Sequence, residues 1–377
     1  MLYRTLPHDP SIKLSVIGLG AGSIHHADEQ AGNKARRADY AGVEAVLHRA
    51  LEAGINFFDF IPSVAGPYPA YGRVLGPVRD QMYVQMHLGC DYSKGAYGWT
   101  QNLSAIKRDF ERQLDVLNTD YADFGFIHCI DEQSDLDNVF ENGLWKWALH
   151  LKQCGVIRHL ACSTHNMGIA QRMIETGEMD LLMLSINPMY DYTDESAYGQ
   201  GAASERARIF NECEAEGIAI SVMKAFAGGQ LLDERQSPFH TALSQAQCIQ
   251  YALDTPGVVS VMAGVRNISD LETCLAYFNT TPAERDYSAI TKIAPTDITG
   301  RCVYCNHCHP CPAGLNIALI NKYYDLARLG DDLARDHYDN LEKHAADCIK
   351  CGHCDNRCPF SVAQSQRMQE IETYFGR

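Results

Sequence analysis

Two runs of cysteine close this chain, and no other feature in it restricts the fold so sharply. The first reads Cys302-x2-Cys305-x2-Cys308-x2-Cys311-Pro312 and the second Cys348-x2-Cys351-x2-Cys354-x3-Cys358-Pro359. Three thiolates two residues apart wrap three corners of one iron–sulfur cubane. The fourth, just before a proline, lies too far along to close the same cube and reaches the other one. The spacing therefore pairs Cys302, Cys305, Cys308 and Cys358 on one [4Fe–4S] cluster, and Cys348, Cys351, Cys354 and Cys311 on a second. Zinc is the competing reading, since it also takes C-x2-C pairs, but its sites seldom draw four cysteines from one run. A disulfide framework belongs to exported chains, and the opening Met1-Leu2-Tyr3-Arg4-Thr5 carries no basic region ahead of an apolar run.

The cysteine runs occupy only the last quarter. The whole chain has 377 residues, of which 46% are hydrophobic, enough for one large domain and a small one. A net charge of −15 argues against a nucleic-acid partner. No apolar run approaches the roughly 18 residues of a membrane span. Fifteen cysteines without an export signal point to a reducing cytoplasm.

Ahead of the cysteines, short apolar runs alternate with stretches of helical period. Strands are expected over 14–18, 56–60, 82–88, 123–128, 157–163, 181–186, 218–223 and 258–264. Between the third and fourth, Ile106, Phe110, Leu114 and Leu117 recur at helical spacing. Repeated strand–helix units argue for parallel pairing, and eight of them fit a (β/α)8 TIM barrel. A doubly wound open sheet is the runner-up. The glycines of Gly18-Leu19-Gly20-Ala21-Gly22 lack the third glycine that a dinucleotide-binding turn requires. Past residue 287 the period changes. A helical segment over 317–344, with Tyr323, Leu326, Leu329 and Leu333 as its apolar face, separates the two cysteine runs. The expected division is a barrel over 1–290 and a small, mainly helical, ferredoxin-like iron–sulfur domain over 298–377.

Barrels carry their chemistry at the C-terminal ends of the strands. The expected strand ends offer Asp59, His87, His128, Ser163, Asn187 with Tyr190, Lys224 ahead of Gly228 and Gly229, and Arg266. Such a succession of polar residues is not expected of a purely structural barrel.

These residues resemble the aldo-keto reductase family, in its branch with a C-terminal ferredoxin-like domain. Gly54-Ile55-Asn56-Phe57-Phe58-Asp59 is similar to the signature around the family's catalytic aspartate, and Phe126-Ile127-His128 to its histidine strand. The resemblance implies that Ser163 and Asn187 hold a nicotinamide carboxamide and that Tyr190 stacks on the ring. It also implies that Lys224, Gly228 and Gly229 cradle the phosphates of NADP(H), with Arg266 near a 2′-phosphate. Departures go with it. Val64 stands where the family has its proton-donating tyrosine, with Tyr68 and Tyr71 nearby as substitutes, and His87 stands in place of the lysine. Thr273 and Cys274 replace the usual adenine-contacting Glu and Asn.

Three readings follow. In the first, a nicotinamide passes a hydride to or from a small carbonyl or hydroxyl substrate, polyol- or sugar-like, and His128 or His87 handles the proton while Asp59 orients its partner. In the second, the clusters feed a redox site without hydride transfer, to which Asp59, His87 and His128 contribute as an acid–base network or a ferrous site. In the third, the same residues run a lyase or epimerase reaction with no net redox change. Lys343, His344 and Lys350 give the second cysteine run a small basic spot, suited to an acidic electron partner of ferredoxin or flavodoxin type. His307, His309 and His353 are expected to tune the clusters or face water, and residues 191–201 to form a lid.

Overall fold

The computed structural model describes residues 1–20, 40–61, 68–91, 98–192, 199–288, 290, 300, 302, 304–328 and 333–377. The chain begins with an antiparallel hairpin of β1 (Tyr3–Leu6) and β2 (Asp9–Ser15). Then come β3 (Ile17–Gly20), β4 (Phe57–Phe60), β5 (Tyr83–Leu88), the short pair β6 (Cys90–Asp91) and β7 (Gly98–Trp99), and β8 (Ala122–Ile127). They are followed by β9 (Ile157–Thr164), β10 (Leu181–Ser185), β11 (Ala219–Met223) and β12 (Val258–Gly264).

Eight of these strands close a parallel barrel in the order β3-β4-β5-β8-β9-β10-β11-β12. The barrel, not the open sheet, is the outcome. The first expected strand needs correction. Leu14 belongs to the hairpin, and the barrel strand starts at Ile17. The apolar run is continuous there, so periodicity alone does not show the break.

Period-2 alternation then decides what faces inward. In β4, Phe58 and Phe60 pack against the helical layer, while Phe57 joins the barrel interior. Asp59, two residues after Phe57, shares its inward parity. Leu6, Ile12 and Leu14 of the hairpin pack with Phe57, Phe124 and Phe126, so the hairpin closes one end of the apolar interior and the polar residues occupy the other. The helix Leu103–Leu117 starts where Asn102 accepts a hydrogen bond from Ala105 N. Ile106, Phe110 and Leu117 are buried as expected, but Gln113 replaces Leu114 as a fully buried member of the face and reaches the His87 carbonyl at 3.3 Å.

The expected helix over 317–344 is two helices, Ile317–Arg328 and Leu333–Asp339, followed by the short turn Ala345–Asp347. Its apolar face is also corrected. Ile317, Ile320 and Tyr324 are buried together with Leu315, Met368 and Ile371, whereas Tyr323 only packs at their margin. Leu329 and the side chains of Leu326 and Leu333 lie outside the described residues. The helix Gln364–Phe375 completes this unit. Among the described residues no helix is long and apolar enough to cross a membrane.

The C-terminal unit is tied to the barrel by a buried cation. Arg357 pairs with Asp254 at 3.1 Å, donates to the His307 carbonyl at 3.2 Å, and lies over the Tyr287 ring. His307 stacks on Tyr251 with ring centroids 4.2 Å apart. It is therefore a buried packing residue and does not face water.

Candidate functional site

Asp59, His87 and His128 meet at the polar end of the barrel. The Asp59 carboxylate (Oδ1) lies 2.7 Å from His87 Nε2, and His87 Nδ1 lies 2.8 Å from His128 Nδ1. All three are buried, His87 most deeply, and Phe126 stacks on the His87 ring at 5.0 Å. With Asp59 ionised and His87 neutral, one proton assignment satisfies both contacts. Asp59 can only accept, so His87 Nε2 carries a hydrogen. A neutral His87 then offers its Nδ1 lone pair, which the His128 Nδ1–H fills, and the His128 lone pair sits on Nε2. Burial, with the neighbouring His87 and His165 adding to it, holds the His128 pKa well below the ordinary imidazole value. The three side chains thus form a continuous hydrogen-bonded chain from His128 through His87 to the Asp59 carboxylate, a geometry able to relay a proton.

A second polar cluster lies beside the first. His165 Nδ1 is 2.8 Å from Asp131 Oδ2, and Cys129 Sγ donates to the same oxygen at 3.5 Å. Lys224 Nζ bonds His165 Nε2. Strict alternation would put Lys224 on the outer face of β11, with Ile220 and Val222, but its φ of +59° turns it away from that path. Burial lowers the Lys224 pKa to about 8, against the opposing pull of Cys129 and Asp131. Burial pushes Asp131 up, yet the His165 hydrogen bonds outweigh it and bring it to about 2. Asp131 and His165 were not among the expected site residues, although both follow the strand-end rule. His165 is two residues beyond Ser163 and shares its inward parity.

The other expected residues fall as follows. Ser163 Oγ accepts from Cys129 N at 2.8 Å. Asn187 is fully buried, donating to the Lys224 carbonyl at 2.8 Å and accepting from Tyr190 N at 3.0 Å. Gly228 and Gly229 have positive φ values of 66° and 95°, and open space surrounds both. Arg266 pairs with Asp270 at 2.8 Å on an exposed helix start. Thr273 bonds Ser269 O within its helix, and Cys274 is buried against Gln245. Tyr71 is buried against Phe60, and burial raises its pKa. Tyr68 opens the helix Tyr68–Leu75, but its side chain, like Val64, lies outside the described residues. The expected lid is partly corrected. Asp191 is buried and fixed by Arg206 and by the Tyr251 hydroxyl at 2.8 Å, while 193–198 lie outside the described residues.

The eight C-terminal cysteines line two small cavities. One is bordered by Cys302, Cys305, Cys308 and Cys358. The other is bordered by Cys311, Cys348, Cys351 and Cys354. Gln364 Nε2 points at Cys302 Sγ and Val362 N at Cys358 Sγ. A tetrahedral zinc ion would hold its sulfurs about 3.8 Å apart. Among the described residues, the trios with all ligand atoms within 4.8 Å of one another are His87–Cys90–His128 and Cys129–Asp131–His165, and none of these eight thiols joins such a trio. The expected basic spot is smaller than the sequence suggests, because Lys343 is 3.7 Å from Asp347.

A closed eight-stranded parallel barrel with polar side chains gathered at one mouth defines a TIM-barrel enzyme scaffold. Residues 16–295 match the Aldo/keto reductase family, and the chain belongs to that family. It is an aldo-keto-reductase-like oxidoreductase. A curated relative, the uncharacterized oxidoreductase YqkF of Bacillus subtilis, is 22% identical over 283 residues, covering 69% of this chain and 86% of that protein. Among solved structures, the holo form of aldo-keto reductase AKR11C1 from Bacillus halodurans aligns with a TM-score of 0.60 at 20% identity, over 78% of this chain and 97% of that one. An aldo-keto reductase from Klebsiella pneumoniae in complex with NADPH aligns with a TM-score of 0.52 at 15% identity, over 78% and 97%.

Proposed function

We propose that this chain is an iron–sulfur oxidoreductase that interconverts a small carbonyl compound and its alcohol, polyol- or sugar-like, with NADP(H) at the barrel mouth. The observation that carries the reading is the Asp59–His87–His128 wire. A bound nicotinamide supplies or takes the hydride. In the oxidising direction His128 Nε2 accepts the hydroxyl proton, its Nδ1 proton passes to His87 Nδ1, and the resulting imidazolium faces Asp59. In the reducing direction the same wire returns the proton to the new alkoxide. The wire thus does the work for which the family uses tyrosine and lysine.

The residues fit the cofactor in part. Ser163 uses its oxygen to accept from Cys129 N and keeps its own proton for a carboxamide oxygen. The open turn at Gly228 and Gly229, beside Lys224, suits phosphate oxygens. Arg266 would meet a 2′-phosphate by sharing Asp270. Tyr190 is nearly buried in the core and would stack on the nicotinamide ring in this reading. Asn187 has no exposed surface, so a carboxamide reaches it only after a neighbour moves. That burial favours the third reading, acid–base chemistry of lyase or epimerase type on Asp59, His87 and His128.

In this proposal the iron–sulfur unit spans 298–377 and the barrel 1–290. Cys302, Cys305, Cys308 and Cys358 hold one [4Fe–4S] cluster, and Cys311, Cys348, Cys351 and Cys354 the other, a grouping supported by the cavity linings. Each cluster, when bound, carries one electron. Of the first set, Cys302, Cys305 and Cys358 pack against the barrel core. The second includes the exposed Cys351 beside Ile349, a natural docking point for a ferredoxin- or flavodoxin-like partner.

The test combines NADPH binding, read by thermal shift, with His128→Ala. We expect wild type to bind NADPH. The variant should keep that binding and its brown colour and lose turnover by about 10³-fold. Turnover surviving in the variant refutes the wire. An absence of NADPH binding in cluster-loaded wild type refutes the hydride reading and leaves the acid–base one.

A further inference from the structure

We propose that Cys129, Asp131 and His165 form a second, mononuclear cation site at the barrel mouth, of the kind that takes Zn(II). The site goes beyond the hydride reading and does not depend on it. Its three ligand atoms converge. The Cys129 S–H and the His165 Nδ1–H both point at one oxygen, Asp131 Oδ2, at 3.5 and 2.8 Å. A cation that takes the place of the thiol proton, which leaves to solvent, and shifts the imidazole proton from Nδ1 to Nε2 sits between the same three atoms. The 3.5 Å sulfur–oxygen separation is what a tetrahedral zinc with bonds of about 2.3 and 2.0 Å produces, while the proton-bridged oxygen–nitrogen pair must open by about 0.5 Å.

The surroundings are built to hold the three in place. Asp131 Oδ1 accepts from His165 N at 2.7 Å and from the Thr164 hydroxyl at 3.3 Å. The Asp131 carbonyl accepts from Asn166 Nδ2 at 3.1 Å. Cys129 N is anchored on Ser163 Oγ, and with the metal on Nδ1 the His165 Nε2–H donates to a neutral Lys224 Nζ, whose ammonium proton leaves to solvent. Outer partners of this sort orient metal ligands and set their tautomers. Cys129 also has a φ of +51°, a conformation that costs a non-glycine residue energy and clusters at functional sites.

One thiolate, one imidazole and one carboxylate form a borderline-soft set suited to zinc. Three protein ligands leave a fourth position for water or substrate, as in catalytic rather than structural zinc sites. Cys129 and Asp131 retain partial exposure, so that position is reachable. The trio His87–Cys90–His128 is as compact, but all three are buried and the histidines already serve the proton wire. A cation at the first trio would lie beside His128, which senses the charges of both His165 and Asp131. A substrate oxygen on it would be polarised next to the base.

The test uses the full chain with its clusters assembled, treated with a chelator and titrated with Co(II), which reports thiolate ligation by a charge-transfer band that zinc lacks. We expect one saturable Co(II) per chain, the charge-transfer band, its loss in Cys129→Ser, and at least 10-fold weaker binding in His165→Gln. The cluster absorbance should not change. A second measurement needs no variant: Zn(II) should protect Cys129 from alkylation in wild type, read by peptide mass spectrometry. The proposal is overturned if no saturable binding occurs, if the band persists in Cys129→Ser, or if Zn(II) leaves Cys129 alkylation unchanged.

Discussion

The crossed pairing proposed for the cysteines gives a count that a sequential pairing cannot reproduce. The cavity linings put Cys358 with Cys302, Cys305 and Cys308, and Cys311 with Cys348, Cys351 and Cys354. Loaded wild type then holds about eight iron atoms per chain, four in each cubane. Removing Cys358 alone is uninformative about partners, since either pairing loses one cube. Removing two ligands together is decisive. In Cys308→Ala/Cys358→Ala both lost thiolates belong to one cluster, and about four irons should remain. In Cys351→Ala/Cys358→Ala they belong to different clusters, and iron should fall towards zero. A sequential pairing predicts the reverse for both variants. The assay is iron and acid-labile sulfide on anaerobically reconstituted protein, with the absorbance near about 400 nm as a check. The Arg357 tie to Asp254 and the stack of His307 on Tyr251 hold the first set against the barrel by contacts that these alanines leave in place. Four irons retained in Cys351→Ala/Cys358→Ala would refute the crossed arrangement, and zinc without sulfide would refute the clusters altogether.

Three further outcomes are expected. Asp59→Asn removes the anion facing the His87 imidazolium; a charge pair of about 4 kcal/mol at an effective dielectric near 20 corresponds to roughly a thousandfold loss of turnover, with fold and iron content kept. Arg357→Gln leaves Asp254 buried without its cation, where desolvation already raises the carboxyl pKa, so unfolding in denaturant should show a loss of about 3 kcal/mol. Burial raises the Asp109 pKa from its ordinary value to about 6, so the folded state disfavours its ionised form. That cost is relieved as pH falls below the folded value and is fully present above it, and Asp109→Asn should stabilise the protein at pH 8 by about 1 kcal/mol after allowance for solvent screening, with the gain shrinking as pH falls towards 4.

What the sequence made legible follows from which signals are periodic. The barrel strands are apolar runs bounded by turns, and seven of the eight lie within a few residues of their expected places. Asp59, His87 and Ser163 were readable for the same reason, since inward parity runs on from Phe57, Gln85 and Ala161. The proposed cysteine pairing rests on a spacing rule with a geometric cause, and the linings of the two cavities support it. What escaped lies where the chain stops being periodic. The hairpin strand before Ile17 merges with the barrel strand in one apolar run. Cys129 and Lys224 take positive φ just past their strands, and an alternation argument fails at the residue where the backbone turns. Cys129, Asp131 and His165 also come from two separate β-to-α connections, so no local pattern announces that they converge. The same turn that hides Lys224 from a parity argument lets its amine reach His165. At this mouth the residues that break the strand rule lie beside those that obey it, and the two polar clusters meet at adjacent positions, His128 and Cys129. Their chemistry is therefore coupled through one peptide unit: moving the backbone at Cys129 must disturb both the proton wire and the thiol that faces Asp131.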